Sequence, residues 1–256
     1  MSPGTVFPAG AAMVFGGSGG IGQHVAKALA AAGADVAIVY RTKKDVAERI
    51  AGEIRAAGRK ASLHQADVTV PAQVEAAVGA AAAAHGRLHT VVWAAGPVVE
   101  QFHIGEIKRE LWQKSIDIEV HGFFNAVQAT LPKLREGGGG SYVHLGSAGH
   151  LWWPAKDGLS VVPKAANEAM VKGIAKEEGR NNIRANSILV GVIEAGMFLE
   201  LLKRGVFDQK WIDKVQELLA IKRWGKPEEI GQAAVFLATN GYVTGQQINV
   251  SGGFGV

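Results

Sequence analysis

Cysteine is absent from the 256 residues, which excludes disulfides, thiolate metal sites and a cysteine nucleophile together. No apolar run reaches the length of a membrane span, and residues 1–10 have neither the basic nor the apolar region of a leader. Neither a Pro- or Ser-rich linker nor a block of like charge divides the chain. The net charge of +4 comes from scattered basic residues, so a nucleic-acid groove is not expected. His85 and His89 have the spacing of a helical metal pair, but Gly86 and a turn separate them, and no metal is expected. With 48% hydrophobic content, a chain of this length buries one large core. The expectation is a single domain over residues 1–256, compatible with the cytoplasm, with neither nucleic acid nor membrane as a partner.

What the chain does contain is alternation. Short apolar segments at 35–40, 60–65, 88–94, 142–145, 183–189 and 247–250 suit strands buried on both faces of a parallel sheet. Helical stretches separate them, at 43–57, 72–85, 107–134 with an interruption near Pro132, 163–178, 195–221 with a break at Gly205 and Phe207, and 227–238. The pattern predicts an α/β fold, a single Rossmann-type doubly wound parallel sheet of about seven strands with helices on both faces.

The stretch 13–22, Met-Val-Phe-Gly-Gly-Ser-Gly-Gly-Ile-Gly, organises the rest. Apolar residues run into a glycine cluster, and 23–32 reads as a helix with Val25, Ala28 and Leu29 on one side. Glycine lacks a Cβ, so such a turn takes positive φ and lets a ligand lie against bare main chain. The helix start presents unpaired N–H groups and a positive dipole end to a pyrophosphate. Gly16, Gly20 and Gly22 are spaced Gly-x-x-x-Gly-x-Gly, not Gly-x-Gly-x-x-Gly. The same residues satisfy Gly-x-Ser-x-Gly, with Ser18 as a nucleophile elbow. A hydrolase of that kind takes an acid and then a histidine from later in the chain, and the last histidine is His150, so that reading is set aside.

The segment resembles the cofactor loop of the short-chain dehydrogenase/reductase family, with Phe15 where the family usually has threonine. The resemblance covers nearly the whole chain. Arg-Ala-Asn-Ser-Ile from Arg184 matches the sixth strand, and Tyr-Val-Thr-Gly from Tyr242 with Gly252 and Gly253 resembles the terminal motif. It implies a dinucleotide held by Gly16, Ser18, Gly19, Gly20 and Ile21, with Asp67 and Val68 by the adenine. Asp67 reads equally as a cap for the helix that Pro71 opens. Of the family's Asn-Asn-Ala-Gly only the second half survives, in Trp93, Ala94, Ala95 and Gly96. Gly191 and Ile193 keep the backbone that holds the nicotinamide carboxamide, while Ala195 lacks the family's hydroxyl.

The end of the second strand decides the nucleotide, since NAD asks for a carboxylate there and NADP for a cation. Tyr40 is followed by Arg41, Thr42, Lys43 and Lys44. A guanidinium fork matches phosphate, so NADP(H) is expected on Arg41, assisted by Thr42 and Lys43. The alternative is a solvated basic helix start.

In the family a serine, a Tyr-x-x-x-Lys pair and an asparagine form the active site. Ser147 is kept, as is Lys164, but Ser160 stands at the tyrosine position and Glu119 at the asparagine position. A tyrosine near pKa 10 can be brought toward neutrality by lysine, and serine is far less acidic. Glu119 pairs with Lys164 or caps a local turn. His150, three residues after Ser147, is the nearby group with an ordinary pKa suited to general acid work; the bland reading is a solvated loop histidine. His121 and His144 read as structural. Trp152 and Trp153 line a substrate mouth or cover a subunit contact.

Two functions follow. One is an NADP(H)-dependent oxidoreductase with an altered proton donor, acting on a small molecule through an activated C=C or carbonyl. The other is an NADP-binding protein without redox turnover, a regulator or scaffold, or a lyase or isomerase in the same cleft. The resemblance also implies a homo-oligomer, a tetramer; Phe123, Phe124 and Val127 read as either its contact or core.

Overall fold

The strands are β1 (Ala11–Phe15), β2 (Asp35–Tyr40), β3 (Ala61–Gln65), β4 (Leu88–Trp93), β5 (Gly140–Ser147), β6 (Ile183–Val190) and β7 (Gln247–Val250). They form one seven-stranded sheet in the order β3-β2-β1-β4-β5-β6-β7, and every pairing is parallel. A computed structural model describes residues 6–256; residues 1–5, half of the stretch read as lacking a leader, lie outside the described residues. The helices are α1 (Gly22–Ala31), α2 (Lys44–Ala56), α3 (Pro71–His85), α4 (Arg109–Ile116), α5 (Gly122–Glu136), α6 (Gly158–Glu178), α7 (Gly196–Lys203), α8 (Gln209–Leu218) and α9 (Pro227–Thr239).

Side chains alternate across each strand, so the sheet feeds two cores. Val14, Val36 and Ile38 pack with Leu29, Ile50 and Ile230 of α1, α2 and α9. Met13, Phe15 and Trp93 pack with Val78, Phe123 and Ile174 of α3, α5 and α6. Both faces are covered, which is the doubly wound arrangement the alternation predicts. Among the described residues no helix is long and apolar enough to cross a membrane.

Two helix boundaries differ from the sequence reading, both at proline. The break in 107–134 does not fall near Pro132, which lies inside α5; it is a π-helical turn at Asp117–His121 joining α4 to α5. Likewise α6 does not begin near Pro163 but at Gly158, with Pro163 inside it. Proline within a helix leaves the carbonyl four residues earlier without its donor. Here the carbonyl of Leu159 accepts from the Ser115 hydroxyl of α4 at 2.6 Å. A tertiary hydrogen bond thus replaces the missing helical one and carries the helix a turn further back.

The strand order reverses between β1 and β4. Ligands of open α/β sheets lie outside the carboxyl ends of the strands at such a switch point. The loop after Phe15 and the residues that follow Trp93 stand at that point.

Candidate active site

The turn between β1 and α1 is built to bring main chain close to something. Gly16 has φ +76, and a Cβ there would sit 2.6 Å from the Ala94 carbonyl oxygen. A Cβ on Gly20 would collide with the backbone of Gly196, and one on Gly22 with the Gly16 carbonyl. The amides of Gly16, Gly17 and Gly19 are bonded within the fold, whereas those of Ser18, Gly20 and Ile21 find no backbone acceptor among the described residues. Unpaired amides at a helix start fit a pyrophosphate. The Ala94 amide is tied to the Phe15 carbonyl at 3.0 Å, holding Ala94, Ala95 and Gly96 against this loop.

At the far end of the cleft, Arg41 Nη1 lies 3.7 Å from Asp67 Oδ2. Arg41 is 56% exposed and the next residue, Thr42, is also exposed. Arg41, Asp67 and Thr69 face Arg109, Trp112, Lys114 and Ile118 across a groove of about 990 Å³. Asp67 does not cap α3. Its Oδ1 accepts from the Thr69 amide at 3.0 Å and hydroxyl at 2.7 Å, and α3 starts at Pro71 without a side-chain cap. Although burial opposes it, the Thr69 hydrogen bonds and the Arg41 charge hold the Asp67 carboxyl below its ordinary range. Val68 is buried beside it.

The loop after β6 closes the other side. Gly191 donates to the Val250 carbonyl at 3.1 Å, and a Cβ at Gly191 would lie 2.6 Å from Ser251 Cα. Ile193 is buried and bridges to Gly225.

On the active-site wall, Lys164 Nζ donates to Glu119 Oε1 at 2.5 Å. Glu119 is 1% exposed and Lys164 18%, so Glu119 is an ion-pair partner rather than the cap of a turn. Three features hold the pair. The π turn places Glu119 inward, Asn167 donates to the Glu119 carbonyl at 2.9 Å, and Gly96 leaves room, since a Cβ there would approach Glu119 Oε1 to 2.5 Å. Ser160 is buried one helical turn before Lys164. The Ser147 hydroxyl accepts from the Gly149 amide at 3.1 Å, which leaves its proton to donate. The chain's three tyrosines lie elsewhere: Tyr40 ends β2, Tyr142 is buried against Thr130 at 2.6 Å, and Tyr242 is fully exposed.

His150 does not stand free in solvent. Its Nδ1 contacts Glu168 Oε2, with the N–H direction off the oxygen rather than aligned on it. Burial and the Lys172 charge lower its pKa. The sequence reading did not single out Glu168. It is 2% exposed, accepts from the Ser147 amide at 3.3 Å and from Gln247 at 3.0 Å, and burial pushes its pKa up to about 7. The available signal was its position four residues after Lys164, hence on the same helix face. Asp157 was also passed over. It begins α6 without capping it, accepts from Gln101 at 3.1 Å, and burial raises its pKa.

His144 is fully buried beside Phe123 and Ser187, and burial lowers it to about 3. His121 pairs with Asp117. Trp152 and Trp153 are exposed. No group of metal-binding side chains occurs among the described residues.

A family model described as Enoyl-(Acyl carrier protein) reductase matches residues 16–255. A 3-oxoacyl-(acyl-carrier-protein) reductase of Staphylococcus epidermidis is 31% identical over 245 residues, 94% of this chain and 97% of its own. A short-chain dehydrogenase from Burkholderia cenocepacia, solved in complex with NADP, superposes with a TM-score of 0.86 at 29% identity, covering 96% of this chain and 98% of its own. Carveol dehydrogenase from Mycobacterium avium, solved with NAD, superposes at 0.88 and 26% identity, over 95% and 96% of the two chains. The chain belongs to the short-chain dehydrogenase/reductase family of oxidoreductases.

Proposed function

We propose that this protein is an NADP(H)-dependent reductase whose site stabilises an enolate oxygen rather than protonating an alkoxide. The carrying observation is the buried Lys164–Glu119 ion pair one helical turn from Ser160, on a helix without tyrosine. The nicotinamide supplies the reducing hydride when bound.

Lys164 is held in place by Glu119, and with the Ser147 and Ser160 hydroxyls it forms a donor cluster. Preorganised donors of this kind stabilise developing negative charge. Carbonyl reduction leaves an alkoxide that needs a proton from an acidic group at the Ser160 position, and serine is a poor source. Conjugate reduction of an enone or enoyl thioester leaves an enolate whose oxygen needs only hydrogen bonds, while its carbon takes a proton later from His150 or water. The description of the matching family model supports a C=C substrate; the name of the Staphylococcus relative supports a carbonyl. Ser160 favours the C=C substrate.

Arg41 receives the 2′-phosphate, and Gly16, Ser18, Gly19, Gly20 and Ile21 cradle the pyrophosphate. Asp67 and Val68 lie by the adenine, Ala94, Ala95 and Gly96 beneath the ribose side, and Gly191 and Ile193 against the carboxamide. The chain works as one domain and as a homotetramer in the cytoplasm. Phe123 and Val127 are core, which leaves Phe124, 49% exposed, for the subunit contact.

Loss of NADPH absorbance with a panel of ketones, enones and enoyl thioesters tests the reaction. Turnover is expected on the enones or thioesters. Ready reduction of ketones with enones ignored would overturn it, and bound NADPH without turnover on any compound would return the non-redox reading.

A further inference from the structure

Behind the donor cluster lies a second set of polar groups that the proposed reaction does not use. The side chains at 160, 164 and 168 follow one another at helical spacing along one face of α6. Ser160 and Lys164 are at the cleft, and Glu168 is one turn deeper, 2% exposed. A carboxyl group so buried is costly unless each oxygen is engaged. Oε1 takes the Ser147 amide at 3.3 Å; Oε2 takes the Gln247 side-chain amide at 3.0 Å and meets His150 Nδ1. The space it occupies exists because β5 has glycine at 146: a Cβ there would run into Glu168 Oε1. One carboxyl therefore touches both ends of the Ser147–His150 turn.

We infer that Glu168 is a positioning residue that fixes Ser147 and His150 in register and shares a single proton with His150, keeping that imidazole loaded for proton delivery. The inference rests on the reading of His150 as the donor in the proposed reaction. The charged groups facing the pair are few. Lys164 and Lys172 on α6 bear on Glu168, Lys172 also on His150, and both favour the carboxylate or the neutral ring. Lys164 is already matched by Glu119. Gln247 from β7 and the Ser147 amide from β5 are neutral donors.

The proton path closes without net charge on the ring. His150 Nδ1 is buried against the carboxyl, which leaves Nε2 as the ring nitrogen for the substrate. With the ring turned slightly so that Nδ1 and the carboxyl align, Nδ1 takes the Glu168 proton as Nε2 gives its own to the substrate carbon, so the ring stays neutral throughout. Glu168 is left as carboxylate and the ring as its Nδ1–H tautomer; water then protonates Nε2 as Nδ1 returns its proton to Glu168, which restores the starting state. Burial places its pKa at about 7, so that last step is near balance at neutral pH.

Groups coupled this closely titrate together. In the free protein, the Ser147 backbone 15N shift and the His150 ring shifts, assigned with His150→Gln, should follow one inflection near neutral pH. In Glu168→Gln the Ser147 inflection should vanish, and His150 should titrate alone. In turnover, Glu168→Gln should lower kcat about 10- to 100-fold and remove the neutral limb of the pH profile, with NADPH affinity unchanged and Glu168→Asp partly restoring both. Separate inflections for Ser147 and His150 in the wild type, more than about one pH unit apart, would overturn the inference. So would a Glu168→Gln protein that loses thermal stability but keeps the wild-type pH profile. The titration needs no substrate, so absence of turnover counts against the proposed reaction and leaves this test standing.

Discussion

Lys164 shows how one residue type at the right spacing takes a new meaning from its neighbour. Its partner Glu119 is 1% exposed, and removing one member of a buried pair strands the other's charge. Lys164→Ala is expected to abolish turnover and to cost about 3–5 kcal/mol of stability. Adding Glu119→Gln should recover most of the stability and none of the activity, a result that denaturant melts of the two variants would show. At the other end of the cleft, Arg41→Ala should weaken NADPH by about 1.5–3 kcal/mol, the scale of a hydrogen bond to a charged group, and leave NADH nearly unchanged by calorimetry. Asp67 at 3.7 Å already draws on the Arg41 charge, which places the effect toward the lower figure. Equal wild-type affinity for the two cofactors would refute the assignment.

Among the elements, α6 carries the active-site wall, and two contacts hold it in place. The Ser115 hydroxyl satisfies the Leu159 carbonyl that Pro163 leaves open. Ser115→Ala should cost about 1–3 kcal/mol, the penalty of a buried acceptor left unmade, and should lower kcat through displacement of Ser160; an unchanged melting midpoint would refute the role. Near its other end, Glu178 takes a two-point contact from Arg135 of α5, one arm at 2.8 Å, chiefly through which its pKa falls to about 2. A depressed carboxyl contributes stability that is full above its unfolded value, 4.5, and is lost as pH falls toward 2. Arg135→Ala should therefore be less stable than the wild type at pH 7 and unfold at higher pH in an acid titration followed by circular dichroism, the difference in stability vanishing as pH falls toward 2.

For the whole molecule, three of the apolar side chains exposed outside both cores, Trp112 and Phe124 on α4 and α5 and Phe236 on α9, are the surface on which the tetramer is proposed. Light scattering should return about four times the 26.9 kDa of one chain. A mass near 27 kDa at all concentrations would remove that proposal.

The sequence by itself determined the sheet, the order of its elements and the glycine turn, because these depend on local periodicity and on where a Cβ cannot fit. The six segments read as strands all lie in the sheet, and β7 has the limits expected of it. It also put Ser160 and Lys164 on one helix face, since four residues make about one turn. Tertiary structure decided what spacing could not express. Pro163 looked like a helix start because proline forbids a local hydrogen bond, and Ser115, 44 residues before Leu159 in the chain, supplies another. Glu168 looked like one more polar helix residue until β5, β7 and the His150 turn closed over it. Whether a carboxyl is solvated or buried, paired or not, depends on groups distant in sequence, and with it depend the pairing of Lys164, the orientation of His150 and the chemistry the cleft can perform.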